Sequence, residues 1–144
     1  MDRKIVPKQR YPRLGVVTTP WKGKTTQEAV HPGVDIANVN GTPIKAPVGG
    51  TVVNAVNNRK QGDNNFGNTL ELKDNNGNVH QFHHLQNVNF APGQIVSKGQ
   101  PIASMGNTGA TYSASGKGDG TNLDYRIVNA AKKYLDPTKF IKFL

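Results

Sequence analysis

Four histidines, His31, His80, His83 and His84, are the only imidazoles in this chain of 144 residues, and it contains no cysteine. The first histidine opens the run His31-Pro-Gly-Val-Asp35. An imidazole nitrogen and a carboxylate oxygen are both good zinc ligands. Residues four apart share a face on a helix or a strand, and Pro32 and Gly33 argue for a turn leading into a strand. The same spacing also serves an ordinary surface pair, so by itself it does not single out a metal site. The second cluster is Gln81-Phe-His-His-Leu85. Strict alternation puts Phe82 and His84 on one face and His83 and Leu85 on the other. Either both imidazoles are solvated on a partly buried strand, or one acts as a general base or polarises a substrate. His80 reads as a solvated hairpin residue.

The elements that must position these groups are short. The chain holds 16 Gly and 9 Pro, and 16 Asn, a turn-rich composition. Strand-like runs fall at 33–37, 51–56, 68–73, 79–85, 94–96, 100–104 and 123–128. Asn40-Gly41, Gly49-Gly50, Asp74-Asn-Asn-Gly77 and Pro92-Gly93 punctuate them. Residues 69–73 and 78–82 form a hairpin in this reading. Only 130–135 and 137–143 read as helical, and both are short. The expected class is all-β, with a basic arm at 1–13 containing Pro7 and Pro12, followed by a single domain over 14–144. The absence of cysteine excludes a disulfide framework, a thiol nucleophile and a cysteine zinc site. Any metal or proton chemistry therefore falls to histidines and carboxylates.

Six pieces occur in a fixed order. They are His31-Pro-Gly-Val-Asp-Ile-Ala37, Gly41-Thr-Pro-Ile-Lys-Ala-Pro-Val-Gly-Gly-Thr-Val52, Phe66-Gly-Asn-Thr-Leu-Glu-Leu72, Phe82-His-His-Leu85, Val96-Ser-Lys-Gly-Gln-Pro-Ile102 and Gly106-Asn-Thr-Gly109. Together they resemble the lysostaphin-like (LytM-type) zinc metallopeptidases that cut peptide cross-links in bacterial peptidoglycan. The resemblance spans about 14–138, including the closing Leu135-Asp-Pro137. It implies a compact antiparallel β structure of the barrel-sandwich hybrid type with its site in a groove on the sheet. It also implies that His31 and Asp35 are metal ligands and that His84 is a catalytic histidine. His83 stands where the family usually has a small residue.

The last motif departs from that pattern. Where the family has His-Leu-His-Phe-Glu, this chain has Asn122-Leu-Asp-Tyr-Arg126. Leu123, Tyr125 and Ile127 keep the apolar alternation, and Asn122 and Asp124 share a face. Asn122 thus replaces a catalytic histidine and Asp124 replaces a ligand. An Asp124 carboxylate still offers a metal an oxygen, giving the set His31, Asp35 and Asp124, but two anions make zinc a poorer Lewis acid. An Asn122 amide donates hydrogen bonds and carries no proton near neutral pH. The expectation is a peptidoglycan-directed domain that is inactive or weakened, holding zinc or, if the site is relict, no metal.

The formal net charge is +9, which first suggests a polyanion partner. Its partition speaks against nucleic acid. Residues 1–30 carry 7 basic and 2 acidic side chains, residues 31–126 carry 7 and 6, and residues 127–144 carry 4 and 1. The region of the motifs is near neutral and aromatic residues are few, so no stacking platform for bases is evident. Wall peptides are the expected partners, with the basic termini free to meet an anionic wall, phage proteins or other assembly proteins. No apolar run approaches the roughly 20 residues that cross a bilayer, and the basic start lacks the apolar stretch of a signal peptide. Two alternatives accompany this reading. One is an active phage-type wall hydrolase, either an endolysin or a lysin carried in the virion. The other is a structural component of a phage tail or secretion assembly. A biotinyl or lipoyl carrier domain shares the Ala46-Pro-Val-Gly-Gly50 style of turn but needs a lysine at a tight central turn, where this chain has a longer segment with three histidines.

Overall fold

The computed structural model of the chain describes residues 9–11, 14–23, 30–63, 66–111 and 119–143. The strands are β1 (Gln9–Tyr11), β2 (Val16–Thr19), β3 (Val34–Ala37), β4 (Pro43–Lys45), β5 (Gly50–Val56), β6 (Asn68–Lys73), β7 (Val79–Val88), β8 (Ile95–Val96), β9 (Pro101–Met105), β10 (Leu123–Val128), β11 (Tyr134–Leu135) and β12 (Ile141–Phe143). β3 and β5 to β10 follow the seven runs read from the sequence, whereas β1, β4, β11 and β12 lie outside them. Ten of them form one antiparallel sheet whose main path is β2-β3-β10-β7-β6-β5-β8. The far half of β7 pairs with β9, which pairs in turn with β4. β1, inside the basic 1–13 segment, pairs instead in parallel with β12. Among the described residues no helix is long and apolar enough to cross a membrane.

The core lies on one face of this sheet. Register places Val34 of β3 beside Tyr125 of β10, Tyr125 beside Phe82 of β7, and Phe82 beside Leu70 of β6. All four are fully buried, and the Phe82 and Tyr125 rings stack with centroids 5.0 Å apart. Each such side chain contributes about 1.5–3 kcal/mol on burial. Leu123 and Ile127 continue the row along β10. With the core on this face, the alternate residues of β3, β10 and β7 are carried to the other.

The two expected C-terminal helices reduce to one 3-10 turn, Pro137–Lys139, capped by the Asp136 carboxylate, which accepts from the Thr138 N–H at 2.9 Å. Residues 130–135 turn back into β11 instead. The Asn129 side chain accepts from the backbone N–H groups of Ala131 and Lys133, both at 3.0 Å, and Lys132 takes a positive φ of 65°. That side-chain-closed turn outcompetes a helical turn, as short polar side chains tend to do.

His80 is not solvated, contrary to the sequence reading. It is 2% exposed, because its position on β7 shares the core side with Phe82. Its Nε2–H donates to the Asp74 carboxylate at 2.9 Å, and its Nδ1 accepts from the Tyr125 hydroxyl at 2.6 Å. The same Asp74 accepts from the backbone N–H groups of Asn76 and Asn78, closing the hairpin turn between β6 and β7. Burial holds the His80 pKa below its usual 6.5, although the hydrogen bond and charge of Asp74 pull the other way. The unfolded chain therefore binds this proton at higher pH than the folded one. The stability that neutral His80 contributes is full above 6.5 and falls as the pH drops below it. Between pH 6.5 and about 5, where most carboxylates remain ionised, His80→Gln is expected to flatten the decline of Tm, as read from thermal melts across that range.

Candidate metal centre and groove

On the sheet face opposite Tyr125, the same register builds a row of polar groups. Asp35 of β3 lies directly across from Asp124 of β10, and Asp124 lies across from His83 of β7. His31 enters from the turn before β3. Its backbone is tied by His31 N–H to the Gly23 carbonyl and by Lys22 N–H to the His31 carbonyl, each at 2.8 Å. Gly33 makes that approach possible, since a Cβ there would lie 2.5 Å from the Tyr125 carbonyl oxygen and 2.7 Å from the Arg126 side chain. His31 Nε2 is 3.1 Å from Asp35 Oδ1 and 3.5 Å from Asp124 Oδ1. Ligand atoms about 2.0–2.1 Å from a tetrahedral zinc ion stand about 3.3–3.4 Å apart. Both distances from His31 are close to that value, and the donor atoms of the three residues inferred from the sequence as ligands all lie within 4.8 Å of one another.

Arg126 also belongs to this cluster. The sequence reading met it only as the residue standing where the family has Glu. It lies two residues after Asp124 on the same face of β10, and its guanidinium is a two-point fork. Nε donates to Asp124 Oδ1 at 3.0 Å and Nη2 to Asp124 Oδ2 at 2.8 Å. Both residues are 3% exposed. The guanidinium lies over the Phe66 ring at 4.7 Å and faces the Tyr134 ring at 5.7 Å. The usable sequence signal was parity, because a charged residue two after Asp124 on a strand with apolar alternates must share its face.

The alternation expected for 81–85 fails at a β-bulge. Phe82 pairs with Leu70 and Leu85 with Asn68, so His83 and His84 together oppose the single residue Thr69. His84 has φ +65°. The extra residue turns both Phe82 and Leu85 into the core, and both imidazoles flank Phe66. The His83 ring stacks on Phe66 at 4.1 Å, and the His84 ring is tilted at 6.5 Å. Thr108 secures the bulge by accepting from the Asn68 N–H at 3.0 Å and donating to the Leu85 carbonyl at 2.7 Å. His84 Nδ1–H donates to the Thr108 carbonyl at 2.8 Å, which fixes the tautomer and leaves its Nε2 as an acceptor.

His83, which the sequence reading did not place in the site, sits at its centre. It is 3% exposed. Its Nδ1 is 2.9 Å from the Thr69 hydroxyl, and among the described residues its buried Nε2 has no hydrogen-bond partner. Burial pushes its pKa down to about 3, with the Asp124 charge opposing and Arg126 reinforcing the shift. Asn122 hydrogen-bonds through its backbone N–H to the Gly106 carbonyl at 3.1 Å. Among the described residues its buried side-chain oxygen also has no partner. The geometry therefore gathers His31, Asp35 and Asp124 closely and sets His84 beside His83. It ties Asn122 to them only through strand parity.

Beside this cluster runs a groove of about 470 Å³ whose lining includes Asn54, Arg59, Phe66, Thr69, Glu71 and His83. Asn54 Nδ2 donates to Glu71 at 3.1 Å, keeping the carboxylate in place on the floor. Residues 112–118 of the Ser- and Gly-rich segment, including Tyr112, lie outside the described residues.

Residues 29–137 match the model of Peptidase family M23. The chain is 32% identical over 113 residues to the lipoprotein NlpD/LppB homolog of Pseudomonas aeruginosa, aligning 78% of this chain with 34% of that protein's length. Among solved structures, LytU aligns with a TM-score of 0.70 and 30% identity over 89% of this chain and 85% of LytU. The catalytic domain of the antimicrobial peptidase lysostaphin from Staphylococcus simulans aligns with a TM-score of 0.65 and 28% identity, over 88% of this chain and 89% of that one. If Gly33 is what lets His31 reach Asp124, Gly33→Ala should lower stability by about 1–3 kcal/mol through the forced clash, as measured by urea unfolding. An unchanged midpoint would show that the turn has slack.

Proposed function

The chain belongs to peptidase family M23, and from that premise we propose that it is a peptidoglycan-directed domain that holds wall peptide in its groove and cuts it weakly or not at all. The observation that carries this reading is Asn122. It stands two residues before Asp124, bridged to Gly106 at the entry to β10, where the lysostaphin-like pattern has a histidine. An amide neither takes up nor releases a proton near neutral pH. Proton transfer by a positioned side chain is worth about 10²–10⁴ in rate, so one of the two imidazole functions that the resemblance implies is missing while His84 remains. The groove itself keeps what binding needs. Phe66 offers exposed aromatic surface, and Asn54, Thr69 and Glu71 offer hydrogen-bonding groups along the floor.

A second reading, residual hydrolysis, is favoured by the spacing of His31, Asp35 and Asp124. These residues would hold the ion, and a divalent metal bound there would polarise a scissile carbonyl or a water molecule. The two readings separate in one experiment. Purified chain is mixed with isolated peptidoglycan sacculi, with and without added zinc, and followed by co-sedimentation and turbidity. The expected outcome is sedimentation with the sacculi and steady turbidity, with Phe66→Ala lowering the bound fraction severalfold. Zinc-dependent clearing that is abolished by chelation or by His84→Ala would establish hydrolysis instead.

A further inference from the structure

We infer that Arg126 is the protein's own cation at the His31–Asp35–Asp124 cluster and that it sets the cluster's affinity for divalent metal. The inference rests on the placement of the fork and does not depend on whether the groove binds wall peptide. Asp35 and Asp124 face each other directly across two strands. Like charges in that position destabilise a strand pair, and buried charges need a partner. In most metal centres the ion supplies it. Here a guanidinium does, through two short hydrogen bonds to Asp124 from a side chain that is itself buried.

Two features make this a standing arrangement. An arginine keeps its proton in proteins, so its charge does not titrate away. The aromatic rings of Phe66 and Tyr134 hold the guanidinium over the site. Asp124 Oδ1, the atom that faces His31 Nε2, is the same atom that accepts from Arg126 Nε. A carboxylate oxygen has more than one lone pair, so the ligand position is not blocked. Its charge, however, is already shared, and an incoming dication must settle beside a fixed positive group. The geometry of a metal centre is therefore kept while its electrostatic demand for the metal is met from within.

The test is titration of the intact chain and of Arg126→Gln with zinc chloride, by calorimetry, alongside melts with and without chelator. Removing a residue that tunes a ligand shifts metal affinity roughly 10–100-fold. The expected result is a tightening of that size in Arg126→Gln. The variant should also melt below the parent when metal-free and regain more of its Tm than the parent does when zinc is added. Equal affinities, or a parent whose Tm depends on chelator as strongly as that of the variant, would overturn the inference. Should Arg126→Gln fail to fold, the parent alone decides by NMR of the Arg126 Nε–H during zinc titration. Weak binding accompanied by movement of that resonance supports the inference, and tight saturation with the resonance unmoved overturns it.

Discussion

Two carboxylates opposed across neighbouring strands, Asp124 buried and Asp35 half-buried, are the constraint around which this protein is arranged. Asp35 and Asp124 are placed face to face by the β3–β10 register, and the register cannot slip to relieve them. A shift of one residue would bring Asp124 and Arg126 to the core side and turn Leu123, Tyr125 and Ile127 out of the core. The core and the polar cluster are two faces of the same strand, so each fixes the other. The countercharge comes from within β10 as well, since Arg126 reaches Asp124 because both lie on the same side of a pleat. The guanidinium is in turn covered by Phe66, just before β6, and by Tyr134 of β11. The C-terminal hairpin and the 66–67 turn are thereby tied to the site.

What could be read from the sequence was whatever depends on local periodicity. The strand runs, the Asp74-Asn-Asn-Gly77 turn and the pairing of His31 with Asp35 all follow from period-two alternation and turn chemistry, and the structure has them. The 130–135 segment failed because Asn129 closes a turn with its own side chain, a local competition that apolar spacing does not register. The 81–85 cluster failed for a non-local reason. Its bulge depends on Thr108, which is far along the chain yet bonds both Asn68 and Leu85. No window around His83 contains that information. One inserted residue is enough to reverse parity, which is why Leu85, expected on the face opposite Phe82, joins Phe82 in the core.

The histidines show how little residue type says without surroundings. His80 and His83 are buried to a similar degree, and burial holds both neutral. His80 has both ring nitrogens engaged, by Asp74 and Tyr125, and braces a hairpin. His83 has one nitrogen on Thr69, and its other nitrogen lacks a partner among the described residues. An imidazole satisfied on both sides is a structural part. One with a buried ring nitrogen that lacks a partner among the described residues, beside Asp124 and Arg126, is a group still available to a ligand.

Binding a peptide and cutting it make different demands on such a sheet. Binding needs a groove of fixed shape with hydrogen-bonding groups along its floor, and that depends on the strands and the bulge. Cutting needs in addition a proton carrier and a ligand set that holds a metal. Asn122 and Arg126 bear on the second set alone. Neither alters the alternation of β10 or the stacking of Phe82 on Tyr125, and Arg126 supplies the charge that lets Asp35 and Asp124 share the face without an ion. The described groove lining accordingly includes neither Asn122 nor Arg126.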